Sequence, residues 1–189
     1  HTNGVLSSDA AREPRMRIDE LTLPARDPAS LRDFYTRVLG LPEVPAIAGT
    51  LTIQVGRSRL SFGSAAADWP GYYHLAFDVP ENQLAEAKAW LAGRVPLIPD
   101  QRGADQFHFA SWNSDSIYFY DPAANILECI ARHNQMNAAP APFGATSPLA
   151  VTEIGLPCDD VHGLVGRLGN EMGLEVYASQ ESEQFAPVG

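Results

Sequence analysis

The sequence predicts an α+β fold assembled from repeated strand, helix and hairpin units, and three observations predict it. A strand, a helix and a hairpin succeed one another in residues 17–63. The same order returns in residues 72–133, and a third copy opens at residue 149 with a residue-by-residue match to the first.

RIDELTLPA (17–25) alternates apolar and polar residues as a strand does. RDPASLRDFYTRVLGL then reads as a helix opening after Asp27 and Pro28, with Leu31, Phe34, Tyr35, Val38 and Leu39 on one face and Gly40 as its stop. LTIQVGRSRLSFG (51–63) is a hairpin turning at Gly56 and Arg57. In the second copy YYHLAFDVP (72–80) is the strand, ENQLAEAKAWLAG (81–93) the helix and SIYFYDPAANILECIAR (116–132) the hairpin. Aligning first strands places His74 opposite Glu20, and aligning last strands places Glu128 opposite Ser61. The second copy is longer because of PDQRGADQFHFASWNSDS (99–116), a polar stretch with embedded aromatics that is expected to be a lid-like loop.

The third copy lies over the first at a constant offset of 133, VTEIGLPCDD (151–160) on IDELTLPARD (18–27). Glu20 and Glu153, Pro24 and Pro157, and Gly40 and Gly173 are among its identical pairs. Its helix, HGLVGRLGNEMG, is glycine-rich and intrinsically weak. The expected organisation is a flexible segment 1–16, a domain 17–133 made of modules 17–63 and 72–133, a linker 134–148 and a partial third module 149–189. A lone partial module leaves an open sheet edge, so it is expected to pack on the first two copies or on a second chain in a homodimer.

A formal charge of −10 without a basic run argues against nucleic acid or an anionic membrane as a partner and leaves small molecules and proteins. Two cysteines outside any metal-finger spacing, no bilayer-length apolar run and no leader pattern give a cytoplasmic expectation.

Glu128 carries the chemical question. In ILECIAR it shares a strand face with Ile126 and Ile130, where an ionised carboxylate needs a cation or hydrogen-bond donors. An arginine such as Arg132 or Arg94 meets that need, and so does a metal; the strand alone leaves both open.

Paired β-α-β-β-β repeats with His74 in YYHLAF and Glu128 in DPAANILE resemble the vicinal oxygen chelate superfamily, which includes glyoxalase I, extradiol dioxygenases and fosfomycin- and bleomycin-resistance proteins. The resemblance covers residues 17–133, with 150–177 as a half-module. It implies two modules curled into a cupped, eight-stranded mixed sheet, with a divalent metal on ligands from the first, fifth and eighth strands. Carried over position by position, those ligands are Glu20, His74 and Glu128. Glu20 or Glu128 would also act catalytically by leaving the metal and moving a proton. The glyoxalase-like fourth ligand falls at Ser61, a poor donor, and is not carried over. Glu153, matched to Glu20 in a copy lacking the rest of the site, receives no role.

One imidazole and two carboxylates suit Mn²⁺, Fe²⁺ or Zn²⁺. Two carboxylates also neutralise the ion, which disfavours ring cleavage and favours proton transfer or addition at a chelated oxygen pair. Tyr72, His108, Trp112, Asn113 and Tyr118 are the expected substrate pocket, while His133 and His162 receive no role. Ala124 stands where the family's turn usually has glycine, implying a different turn or a strain of ~1 kcal/mol. The resemblance thus implies a metalloenzyme (lyase, isomerase or dioxygenase) acting on a small oxygen-rich metabolite. The alternative is a metal-free sequestering protein of bleomycin-resistance type, with walls such as Trp112, Tyr118 and Phe62.

Overall fold

The structure is a computed structural model that describes residues 16–66, 69, 71–177 and 180–189; apart from Met16, the expected flexible segment lies outside them. β1 (Glu20–Ala25) leads into α1 (Pro28–Asp33). The Asp27 carboxylate accepts the N–H groups of Ala29 and Ser30, and Pro28 starts the helix where its missing N–H costs nothing. Beyond Asp33 the helix widens into a π turn, Phe34–Val38, which buries Phe34 and Tyr35. β2 (Leu51–Val55) and β3 (Ser58–Ser64) form the expected hairpin. Its turn needs Gly56: φ is +53°, and a Cβ there would lie 2.0 Å from the Leu149 carbonyl oxygen.

The second copy supplies β4 (His74–Val79), α2 (Leu84–Ala92), β5 (Phe107–Phe109), β6 (Ser114–Tyr120) and β7 (Ile126–Arg132). The third supplies β8 (Ala150–Gly155) and α3 (Val161–Met172), which buries none of its residues. The stretch 99–116 is only partly a loop, since Phe107, His108 and Phe109 pair with Ser116, Asp115 and Ser114 as an edge strand. Ala124 adopts φ +63°, so the turn keeps its left-handed residue and the alanine carries the strain.

The fold is α+β, as expected, and its eight described strands lie in two mixed sheets, ordered β1-β3-β2 and β5-β6-β7-β4-β8. Within each copy the first strand runs parallel to the last, β1 to β3 and β4 to β7. The free edge of β4 is taken by β8, antiparallel, with Leu75 opposite Ile154 and Ala76 opposite Glu153. The third copy therefore completes the second copy's sheet. One face of the larger sheet carries Leu75, Phe77, Val79, Ile117, Phe119, Leu127 and Cys129 into a core shared with Leu31, Tyr35, Leu60 and Phe62.

Candidate metal centre

Strand alternation leaves the other face of the larger sheet to the remaining side chains. Register aligns Tyr118, Glu128, Ala76 and Glu153 in one row across β6, β7, β4 and β8, with His74 two residues before Ala76 on the same face. Glu128 and Glu153 are two strands apart, roughly 10 Å between backbones. Only the small Ala76 separates them. Over it they converge with His74: one ligand atom from each of His74, Glu128 and Glu153 lies within 4.8 Å of the others. Among the described residues no other three His, Cys, Asp or Glu side chains meet in this way.

Local geometry positions each member. Glu128 follows the DPAAN turn, whose Asp121 accepts hydrogen bonds from Tyr35 Oη (3.0 Å), the Ala123 and Asn125 N–H groups and Asn125 Nδ2. Asn125 Oδ1 in turn accepts the Tyr73 N–H at 2.8 Å, locking the start of β4 to the start of β7. Glu153 follows an irregularity in the β4–β8 ladder, where Ala76 faces Glu153 but Phe77 faces Val151, leaving Thr152 as the extra residue. The Arg132 guanidinium reaches both Thr152 Oγ1 (3.3 Å) and the Glu153 carboxylate, and also Asp78 Oδ1 at 3.0 Å.

The charges are strongly coupled. His74 Nε2 lies 3.0 Å from Glu128 Oε2, and Glu128 is buried. Burial pulls the His74 pKa down, but the hydrogen bond and charge of Glu128, with the charge of Glu153, outweigh it and hold it above the usual value. Burial and the nearby Glu128 raise Glu153 despite Arg132 and His74. Tyr118, its ring 6.2 Å from that of His74, is pushed far up by burial and then by Glu128, so it stays a phenol. Burial and Glu128 likewise push the Cys129 thiol up to about 12, leaving it inert.

Of the three expected ligands the structure brings together His74 and Glu128. Glu20 is apart from them: on the outer face of the smaller sheet, its side chain is 72% exposed and paired with Arg59 at 3.2 Å. Its repeat counterpart Glu153 occupies the position instead, because β8, not β1, lies beside β4. Ser61 hydrogen-bonds to Thr52 at 2.8 Å in the smaller sheet. Neither expected arginine partner takes Glu128: Arg132 holds Asp78 and Glu153, and Arg94 lies over Trp90.

Among the expected pocket residues Tyr118 alone stands in this row. Tyr72 precedes β4 and is exposed at a groove with Trp69 and Tyr73. His108 Nδ1 meets Asp115 Oδ1 at 3.0 Å on the surface. Trp112 donates to Gln180 Oε1 (3.0 Å) and packs on Tyr177, and Asn113 offers its carbonyl to the His133 N–H at 2.9 Å.

Solved structures share this architecture. Lactoylglutathione lyase from Agrobacterium tumefaciens is similar over 65% of this chain and 97% of its own, with 24% identity and a TM-score of 0.50. A dioxygenase candidate from Bacillus subtilis matches 92% of this chain with a TM-score of 0.64 and 20% identity. Both likenesses are of fold. The present chain spans 59% of the length of the Bacillus protein, and that match extends well beyond the second copy. No protein-family model matches the sequence, and no curated protein matches it significantly. No helix among the described residues is long and apolar enough to cross a membrane.

Proposed function

We propose that this chain is a member of the vicinal oxygen chelate superfamily and belongs to a metal-dependent enzyme of glyoxalase or dioxygenase type, with the metal held by His74, Glu128 and Glu153. The observation that carries the reading is the convergence of one imidazole and two carboxylates over Ala76, from three strands of one sheet. The donor set fits a divalent ion of the Mn²⁺, Fe²⁺ or Zn²⁺ type. The two carboxylates, compensated permanently only by an arginine already shared with Asp78, leave net negative charge for a cation. When bound, such an ion polarises a pair of substrate oxygens.

The chain's own residues supply the rest. Glu128, buried and ion-paired with His74 rather than with an arginine, is the carboxylate best placed to take a proton from a substrate at the row. Tyr118, kept protonated, stands beside it as a donor to a developing negative oxygen. Phe107, packed on Tyr118 at 5.5 Å, adds an apolar wall suited to a small organic substrate.

A metal-free binder is the second reading, favoured by the fact that the four charged groups are already paired, His74 with Glu128 and Arg132 with Glu153. Elemental analysis of protein purified without chelators, beside an Ala76→Leu variant, separates the two. The enzyme reading expects about one bound transition metal per chain, lost when leucine fills the gap between the carboxylates. A metal-free wild type that still binds small aromatic ligands would establish the binder.

A further inference from the structure

Arg132 stands four residues past Glu128 on the same face of β7, and its side chain is 12% exposed. Nη1 meets Asp78 Oδ1 and Thr152 Oγ1, and Nη2 meets Glu153 Oε1. Its partners belong to β4 and β8, the two strands that bring His74 and Glu153 together. Glu153 itself lies on an edge strand next to a ladder irregularity, with a side chain that free rotation would spread over several rotamers. A guanidinium fixed by Asp78, which is buried, removes that freedom and occupies one carboxylate oxygen.

We infer that Arg132 is a positioning residue: anchored on Asp78 and Thr152, it holds Glu153 by Oε1 so that the other oxygen, Oε2, is presented to the metal. The inference rests on the metal reading above. It assigns to one arginine the orientation of a ligand that comes from a different repeat. Outer partners of metal ligands commonly set affinity by about 10–100-fold. The opposite outcome is also physical, because a cation beside a metal site repels the ion.

The experiment is calorimetric titration of Mn²⁺, with Zn²⁺ as a second probe, into wild type, Arg132→Lys and Arg132→Met. The dissociation constant is expected to rise about 10–100-fold in Arg132→Met and less in Arg132→Lys, whose ammonium can satisfy one carboxylate but not the whole fork. The Mn²⁺ electron paramagnetic resonance line is expected to change as Glu153 becomes mobile, a readout that a purely structural arginine would not move. Should Arg132→Met fail to fold, the double variant Asp78→Asn/Arg132→Met removes both buried charges together and is expected to show the same weakening. Wild-type protein that takes up neither ion overturns both the metal reading and this one. Wild type that binds, with Arg132→Met binding within about threefold or more tightly, overturns the positioning role alone.

Discussion

Replacing Glu153 and Glu20, each by glutamine, decides which repeat supplies the third ligand. Metal at 100 times its dissociation constant stabilises the folded state by about 2.7 kcal/mol. For a chain of this size 1 kcal/mol moves the melting temperature by about 2–4 °C, so the wild type should gain about 5–11 °C on adding Mn²⁺. If loss of one carboxylate weakens binding about a hundredfold, the same relation leaves about 0.4 kcal/mol, a shift of about 1–2 °C. Glu153→Gln is expected to behave so, because its oxygen is one of the three within 4.8 Å. Glu20→Gln is expected to keep the full gain, since it loses only an exposed pair with Arg59. Differential scanning fluorimetry of each variant with and without metal is the assay. Comparing each variant with its own metal-free form cancels the packing cost of the substitution. A full gain in Glu153→Gln, or its loss in Glu20→Gln, would refute the assignment.

Three further outcomes test the frame around the site. Tyr35→Phe should cost about 1.5–3 kcal/mol in urea denaturation, because it removes one of four donors to the buried Asp121 carboxylate; no measurable change would show that the turn holds without it. Ala124→Gly should stabilise by about 1 kcal/mol by relieving φ +63°, and a destabilised glycine variant would mean that the turn is not strained. Burial raises the Asp115 pKa, but hydrogen bonds from His133 and His108 outweigh it and hold it below the usual value. A depressed carboxylate adds stability above its unfolded pKa that is lost as pH falls through the folded value, so Asp115→Asn should flatten the stability profile below about pH 4 and leave pH 7–8 nearly level. An acid limb identical in the variant would assign that loss to other groups.

The internal repeat made the α+β class and most elements legible, because alternation, caps and turn glycines are local signals. The pairing between repeats was not legible. Which first strand lies beside β4 is settled by contacts far apart in sequence, and the stretch around β8, VTEIGLPC (151–158), resembles that around β1, IDELTLPA (18–25). Glu153 was visible as the counterpart of Glu20, and the only signal in its favour was that match. The assumption that a site belongs to neighbouring complete copies pointed to Glu20, whereas the carboxylate that meets His74 and Glu128 is Glu153. The edge strand at Phe107–Phe109 was hidden for a different reason. Three residues are too short for alternation to register, and polar residues surround them.

The union of β4 with β8 sets an order of events. Glu153 is synthesised 25 residues after Glu128, so a nascent chain can pair β4 with β7 and hold His74 against Glu128 before the third donor exists. Closing a loop of that length is entropically modest, but the donor arrives only with β8 in register. A one-residue slip would turn Glu153 to the opposite face of the sheet. The cation would then act as a proofreader of strand alignment, retained by chains that have docked β8 correctly and shed by those that have not.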